Sequence, residues 1–156
     1  MYRILIYTLL FCAFDQLSKL FVVFYLQLNT KFRIDLNNQF INFHMAWNKG
    51  INFGLFESES SFQVYFLFLV SILISLALFL WVRKTKYFAI QLSSSLVMGG
   101  AVGNAIDRLL YGSVADFINL TCCGIKNPFS FNLADVFIFT GIIGLIYYRF
   151  DEEIVH

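Results

Sequence analysis

Four stretches of the chain, residues 4–26, 62–82, 88–110 and 131–148, are apolar nearly throughout. A helix crossing a hydrocarbon layer roughly 30 Å thick needs about 20 residues at 1.5 Å each, so each stretch predicts a transmembrane helix. The second carries no charge at all, the first and third contain ionisable residues, and the fourth opens beside Asp135. Between the first two the pattern changes period. Ile41, Phe43, Met45 and Trp47 alternate with Asn42, His44, Ala46 and Asn48, as in a strand with one apolar face. A small sheet lying on the membrane surface is therefore expected in the loop 27–61, preceded by a turn at Asp35-Leu36-Asn37-Asn38. The expected fold is an all-α membrane protein of four transmembrane helices with a small extracytoplasmic β element, forming one polytopic domain over 1–156.

Charge adds an orientation. Arg83, Lys84 and Lys86 crowd the short link between the second and third spans, and Arg3 and Arg149 lie on the same side. Lys31, Arg33 and Lys49 are spread over the longer loop, with Lys126 in the other, so the lysine and arginine bias places both termini in the cytoplasm. The two larger loops, 27–61 and 111–130, then face outward. Arg3 before an apolar run imitates a secretory signal, but no small-residue cleavage site follows and the run continues past Asp15 and Lys19, which predicts a retained first span.

Composition agrees with a bilayer as solvent: 59% of residues are hydrophobic and only 13% charged, against roughly 45–50% and 25% in soluble domains. The net charge of +1 gives no case for a nucleic-acid partner. Cys12, Cys122 and Cys123 are too few for a disulfide framework and lack zinc-site spacing. His44 and His156 stand alone, so neither a metal nor another cofactor is expected. Pro128 lies just ahead of the last span, where it breaks no helix.

Ionisable residues within apolar spans are costly, at least about 2.5–3.5 kcal/mol each near the bilayer centre, and need a partner or a job. Asp15 and Lys19 are four apart on one helical face and can neutralise each other. Asn104, Asp107 and Arg108 share a face near the end of the third span. Asp116 follows that span, and Asn132 and Asp135 open the fourth. With both termini inside, all of these groups converge on the outer half of the membrane. Each also has a plain structural reading. Asp15 with Lys19, and Asp107 with Arg108, are possible local ion pairs; Asn132 with Asp135 has the spacing of a helix cap; Asp116 is an ordinary interfacial acid. Two carboxylates brought close together cannot both ionise, so one can act as base on a water and the other as acid toward a carbonyl oxygen. An ion or proton pathway and a non-enzymatic assembly factor use buried charges as well.

Taken in order, Asp15-Gln16-Leu17-Ser18-Lys19, Asn48-Lys49-Gly50-Ile51-Asn52-Phe53-Gly54, Gly99-Gly100-Ala101-Val102-Gly103-Asn104-Ala105-Ile106-Asp107-Arg108, Gly112-Ser113-Val114-Ala115-Asp116-Phe117 and Phe131-Asn132-Leu133-Ala134-Asp135 form a series. The series resembles the motifs of bacterial lipoprotein signal peptidase, or signal peptidase II, over nearly the whole chain. The resemblance implies an aspartic endopeptidase of the bacterial inner membrane. Such an enzyme removes the signal peptide of diacylglyceryl-modified prolipoproteins just before the lipidated cysteine and is inhibited by globomycin. It implies a catalytic dyad at Asp116 and Asp135. It further implies substrate-binding or supporting roles for Asp15, Lys19, Asn48, Gly50, Asn104, Arg108, Asn132 and Ala134. Asp107 is expected to be structural, paired with Arg108 or a neighbour. A presenilin-like protease is disfavoured because its Gly-x-Gly-Asp signature is absent. Asn52 stands where the family usually has a smaller residue, and the stretch 121–127 matches no motif.

Overall fold

The computed structural model describes residues 2–36, 40–50, 61–121 and 127–154. Helix α1 spans Tyr2–Lys19 and continues into a π-helical segment, Leu20–Tyr25. The wider turn, closed by the Leu26 N–H donating to Phe21 O at 2.9 Å, changes the helical phase so that the neighbours Val22 and Val23 are both buried. The short helix α2, Leu28–Lys31, leads into strand β1, Arg33–Asp35, and then β2, Ile41–Asn48. Helices α3, Ser61–Val82, and α4, Phe88–Tyr111, follow. Strands β3, Val114–Leu120, and β4, Ser130–Phe131, precede helix α5, Leu133–Ile154.

Among the described residues, three helical stretches are long and apolar enough to cross a membrane: Tyr2–Tyr25, Phe62–Val82 and Phe88–Tyr111. The apolar part of α5, Leu133–Tyr148, is shorter. Phe131, expected at the start of the fourth span, lies in strand β4 instead, and α5 begins only after Asn132. Asn132 supplies the reason, since its side-chain oxygen accepts from the Asp135 N–H at 3.0 Å and caps the helix.

The four strands form one antiparallel sheet in the order β1-β2-β3-β4. Only β2 was expected in detail. A register shift between Phe43 and Ala46 breaks its alternation. Met45 is buried and Phe43 packs beside it against Val22, Val23, Leu28 and Phe117, whereas Ile41 and Trp47, predicted on the same apolar face, are exposed. The expected turn at 35–38 falls partly outside the described residues.

Helix α4 is the hub, packed against α1, α3 and α5. Its buried Ser95 hydroxyl donates to Ile4 O of α1 at 3.2 Å. Helix α3 is mostly exposed, with Val64 and Val82 among its few buried apolar residues. At the end of α4, Gly112 adopts φ +69° and donates its N–H to Arg108 O at 3.1 Å. That left-handed cap, favourable for glycine, turns the chain sharply into β3.

Candidate active site

The last turns of α1 and α4, the ends of β2 and β3 and the cap of α5 meet at one level. Strand β3 delivers Asp116, whose Cα partner across the ladder is Ala46. Two residues further along β2, on the same face, Asn48 donates its amide to Asp116 Oδ2 at 3.0 Å. The Asn48 oxygen is engaged by the Gly50 N–H at 3.0 Å. Asp116 Oδ1 accepts from the Asn132 amide at 2.6 Å. Asp116 is 2% exposed, and burial pushes its carboxyl up to about 7; the neighbouring Asp135 charge adds to the rise, and the Asn48 and Asn132 amides oppose it.

Asp135 is the third residue of α5. Its Oδ2 accepts from the Asn132 N–H at 3.1 Å, closing a reciprocal cap, while its Oδ1 accepts from the Asn104 amide of α4 at 3.0 Å. Asn132 thus holds both carboxylates, and its amide also donates to Asn104 Oδ1 at 3.1 Å. The cap and the site are one structure.

A second set of charges lies directly behind. The Lys19 ammonium contacts Asp15 Oδ2 at 2.7 Å, Asp107 Oδ2 at 2.8 Å and Asn104 Oδ1 at 3.0 Å. Asp15 Oδ1 accepts from the Ala134 N–H at 2.9 Å, tying α1 to the start of α5. Asp107 Oδ2 also accepts from the Ala115 N–H at 3.2 Å, tying α4 to β3 beside Asp116. Asp15 approaches so closely that a Cβ on Gly103 would collide with its carboxylate. Asp107 therefore pairs with Lys19 across helices. The hydrogen bonds of Arg108 go elsewhere, from Nη2 to Gly50 O at 3.2 Å and from Nη1 to Asn104 O at 3.5 Å. Its buried Nε has no partner among the described residues.

All eleven residues singled out in the sequence are drawn into this one region. Gln16 was missed, although its amide donates to Asp107 Oδ1 at 2.9 Å and to Gly103 O at 3.1 Å. Its signal was its place beside Asp15 in an apolar span. Asn52, Cys122 and Cys123 lie outside the described residues. Cys12 is a free, buried thiol in α1. Among the described residues, no group of three His, Cys, Asp or Glu side chains is placed to hold a metal.

A cavity of about 350 Å³ opens beside the polar cluster. Leu67 and Ile74 of α3, Val97 and Ala101 of α4 and Ile138 and Ile142 of α5 make it apolar, and Asn104, Arg108 and Asp135 line it as well. Such a space suits an apolar ligand with one reactive polar group.

A family model described as signal peptidase (SPase) II matches residues 7–150. A lipoprotein signal peptidase of Methylorubrum extorquens (strain PA1) is 37% identical over 136 residues, covering 86% of this chain and 77% of that protein. One from Pelagibacter ubique (strain HTCC1062) is 35% identical over 150 residues, covering 93% and 86%. A solved structure described as a bacterial membrane enzyme, obtained by the in meso method at 2.3 Å resolution, superimposes with a TM-score of 0.78. It shares 26% identity over 98% of this chain and 90% of its own.

Proposed function

Because the chain belongs to the signal peptidase II family, whose members are membrane-embedded proteases that cleave prolipoprotein signal peptides, we propose that it is an aspartic endopeptidase with Asp116 and Asp135 as its dyad. One observation carries this reading: the single residue Asn132 bonds both acids, Asp116 through its side chain at 2.6 Å and Asp135 through its backbone N–H at 3.1 Å. Two carboxylates brought close together share a proton, and burial with the neighbouring Asp135 charge favours it on Asp116.

Water seated between the acids attacks the carbonyl carbon of the peptide bond before the lipidated cysteine. Asp135, at the N-terminal end of α5 where the helix dipole suits a carboxylate, takes one of its protons. Asp116 enters protonated and gives its proton to the carbonyl oxygen. As the tetrahedral diol collapses, the carbon–nitrogen bond breaks, Asp135 protonates the departing cysteine amine and a diol hydroxyl returns a proton to Asp116. The polar end of the cavity is where the scissile peptide reaches the acids. Its apolar walls between α3, α4 and α5 receive the substrate's hydrocarbon.

The chain crosses the inner membrane four times with both termini in the cytoplasm. The apolar part of α5, Leu133–Tyr148, extends roughly 24 Å at 1.5 Å each, and the helix continues to Ile154, so its charged last turns reach the inner side, which Arg83, Lys84 and Lys86 also mark. The dyad then faces outward, where water and lipidated precursors both arrive. Purified enzyme should cut a diacylglyceryl-modified prolipoprotein just before its cysteine, in a reaction blocked by globomycin, with the new N-terminus read by mass spectrometry. Equal cutting of the unmodified precursor would overturn the substrate assignment.

A further inference from the structure

We infer that Lys19 is a positioning residue for this reaction, acting through Asn104, whose side-chain amide it locks so that the NH2 group faces Asp135. The inference rests on the dyad reading above. A carboxamide has nearly the same shape in its two flipped orientations, and hydrogen bonds decide between them. For Asn48 and Asn132 the oxygen is held locally, by the backbone N–H of Gly50 and of Asp135. For Asn104 it is held by the Lys19 ammonium at 3.0 Å and by the Asn132 amide at 3.1 Å.

An ammonium has only donors, so Asn104 can present only its oxygen to Lys19. Its Nδ2 is then committed to Asp135 Oδ1 at 3.0 Å. A flip would set NH2 against the ammonium and against the Asn132 amide, and oxygen against the Asp135 carboxylate, so three attractive contacts would become repulsive together. Lys19 itself is clamped by Asp15 and Asp107, with its side chain 5% exposed. The buried ion pairs thus orient a donor they do not themselves contain.

A double-mutant cycle distinguishes this role from bulk stabilisation. With a lipidated prolipoprotein, Lys19→Met should lower kcat about 100-fold, the scale of one lost preorganised hydrogen bond, and change KM less than about threefold. In an Asn104→Ala background the same substitution should cost less than about threefold more, because its target is gone. An equal loss in both backgrounds would overturn the proposal. Lys19→Met also strips two acids of their counter-charge, so Lys19→Met with Asp15→Asn and Asp107→Asn, which leaves no unpaired acid, serves as the charge-compensated variant. It should regain Tm but not kcat; recovery of both would make Lys19 merely structural. Asp135→Asn separates the two readings. If it still cleaves, the dyad falls and the Lys19 role with it; if it is dead while the cycle is additive, only the Lys19 role falls.

Discussion

Two pairs of acids, buried except for the half-buried Asp135, lie side by side in this molecule and are compensated in opposite ways. Asp15 and Asp107 share a lysine ammonium at 2.7 and 2.8 Å. Asp116 and Asp135 are held by the carboxamides of Asn48, Asn104 and Asn132 and by a backbone N–H. A carboxylate bound to an ammonium is tied by charge and serves as a strut. A carboxylate bound to neutral amides is held in place yet left free to gain or lose a proton, which catalysis at neutral pH requires. Burial costs both pairs; the difference lies in whether a cation or an amide offsets it.

Substitutions sharpen this contrast, and the largest effect belongs to the amide-held pair. Asp116→Asn and Asp135→Asn should each lower cleavage by about 10⁴-fold or more while the protein stays inserted; the Tm of Asp116→Asn in detergent holds or rises, since a buried charge has been removed, and that of Asp135→Asn, at a half-buried position, holds. Retained cleavage in either variant would take that residue out of the dyad. The strut should behave the other way. Asp15→Asn leaves Lys19 paired with Asp107, so no uncompensated charge remains, and the loss should be about 1–2 kcal/mol, the scale of the charge-assisted hydrogen bonds weakened at Lys19 and at the Ala134 N–H. Cleavage per folded molecule should fall less than about tenfold. A normal Tm with abolished cleavage would erase the distinction between the pairs.

A smaller, pH-dependent effect follows from the Asp116 carboxyl being pushed up to about 7 from its ordinary 3.8. Below that value Asp116 holds its proton and can act as the acid; above it the proton is lost. The cleavage rate should therefore fall about tenfold per pH unit on the alkaline side of about 7. A rate still rising there would assign the acid role to another group.

Much of this arrangement is legible in the sequence because membranes make charge conspicuous. Asp15 and Lys19 stand out at i, i+4 in an apolar span, and Asn132 with Asp135 carries the spacing of a helix cap. Both contacts form, and each is also part of something larger. Strand β3 escaped notice because most of its residues are buried on both faces, which removes the alternation that marked β2. The phase change after Lys19 was equally hidden, since a π-helical segment leaves no hydrophobic period of its own. Asp107 sits next to Arg108 in sequence but reaches Lys19 in space, because consecutive residues on a helix point about 100° apart. Contacts between helices, such as Lys19 with Asn104, depend on packing that no local pattern encodes.

Infrared titration of the purified protein tests the contrast between the two pairs most directly, with Asp116→Asn compared against Asp15→Asn. A protonated-carboxyl band should disappear as pH rises through about 7, and it should be missing from Asp116→Asn and present in Asp15→Asn. A band that survived in Asp116→Asn and vanished in Asp15→Asn would place the mobile proton on the wrong pair and contradict that contrast.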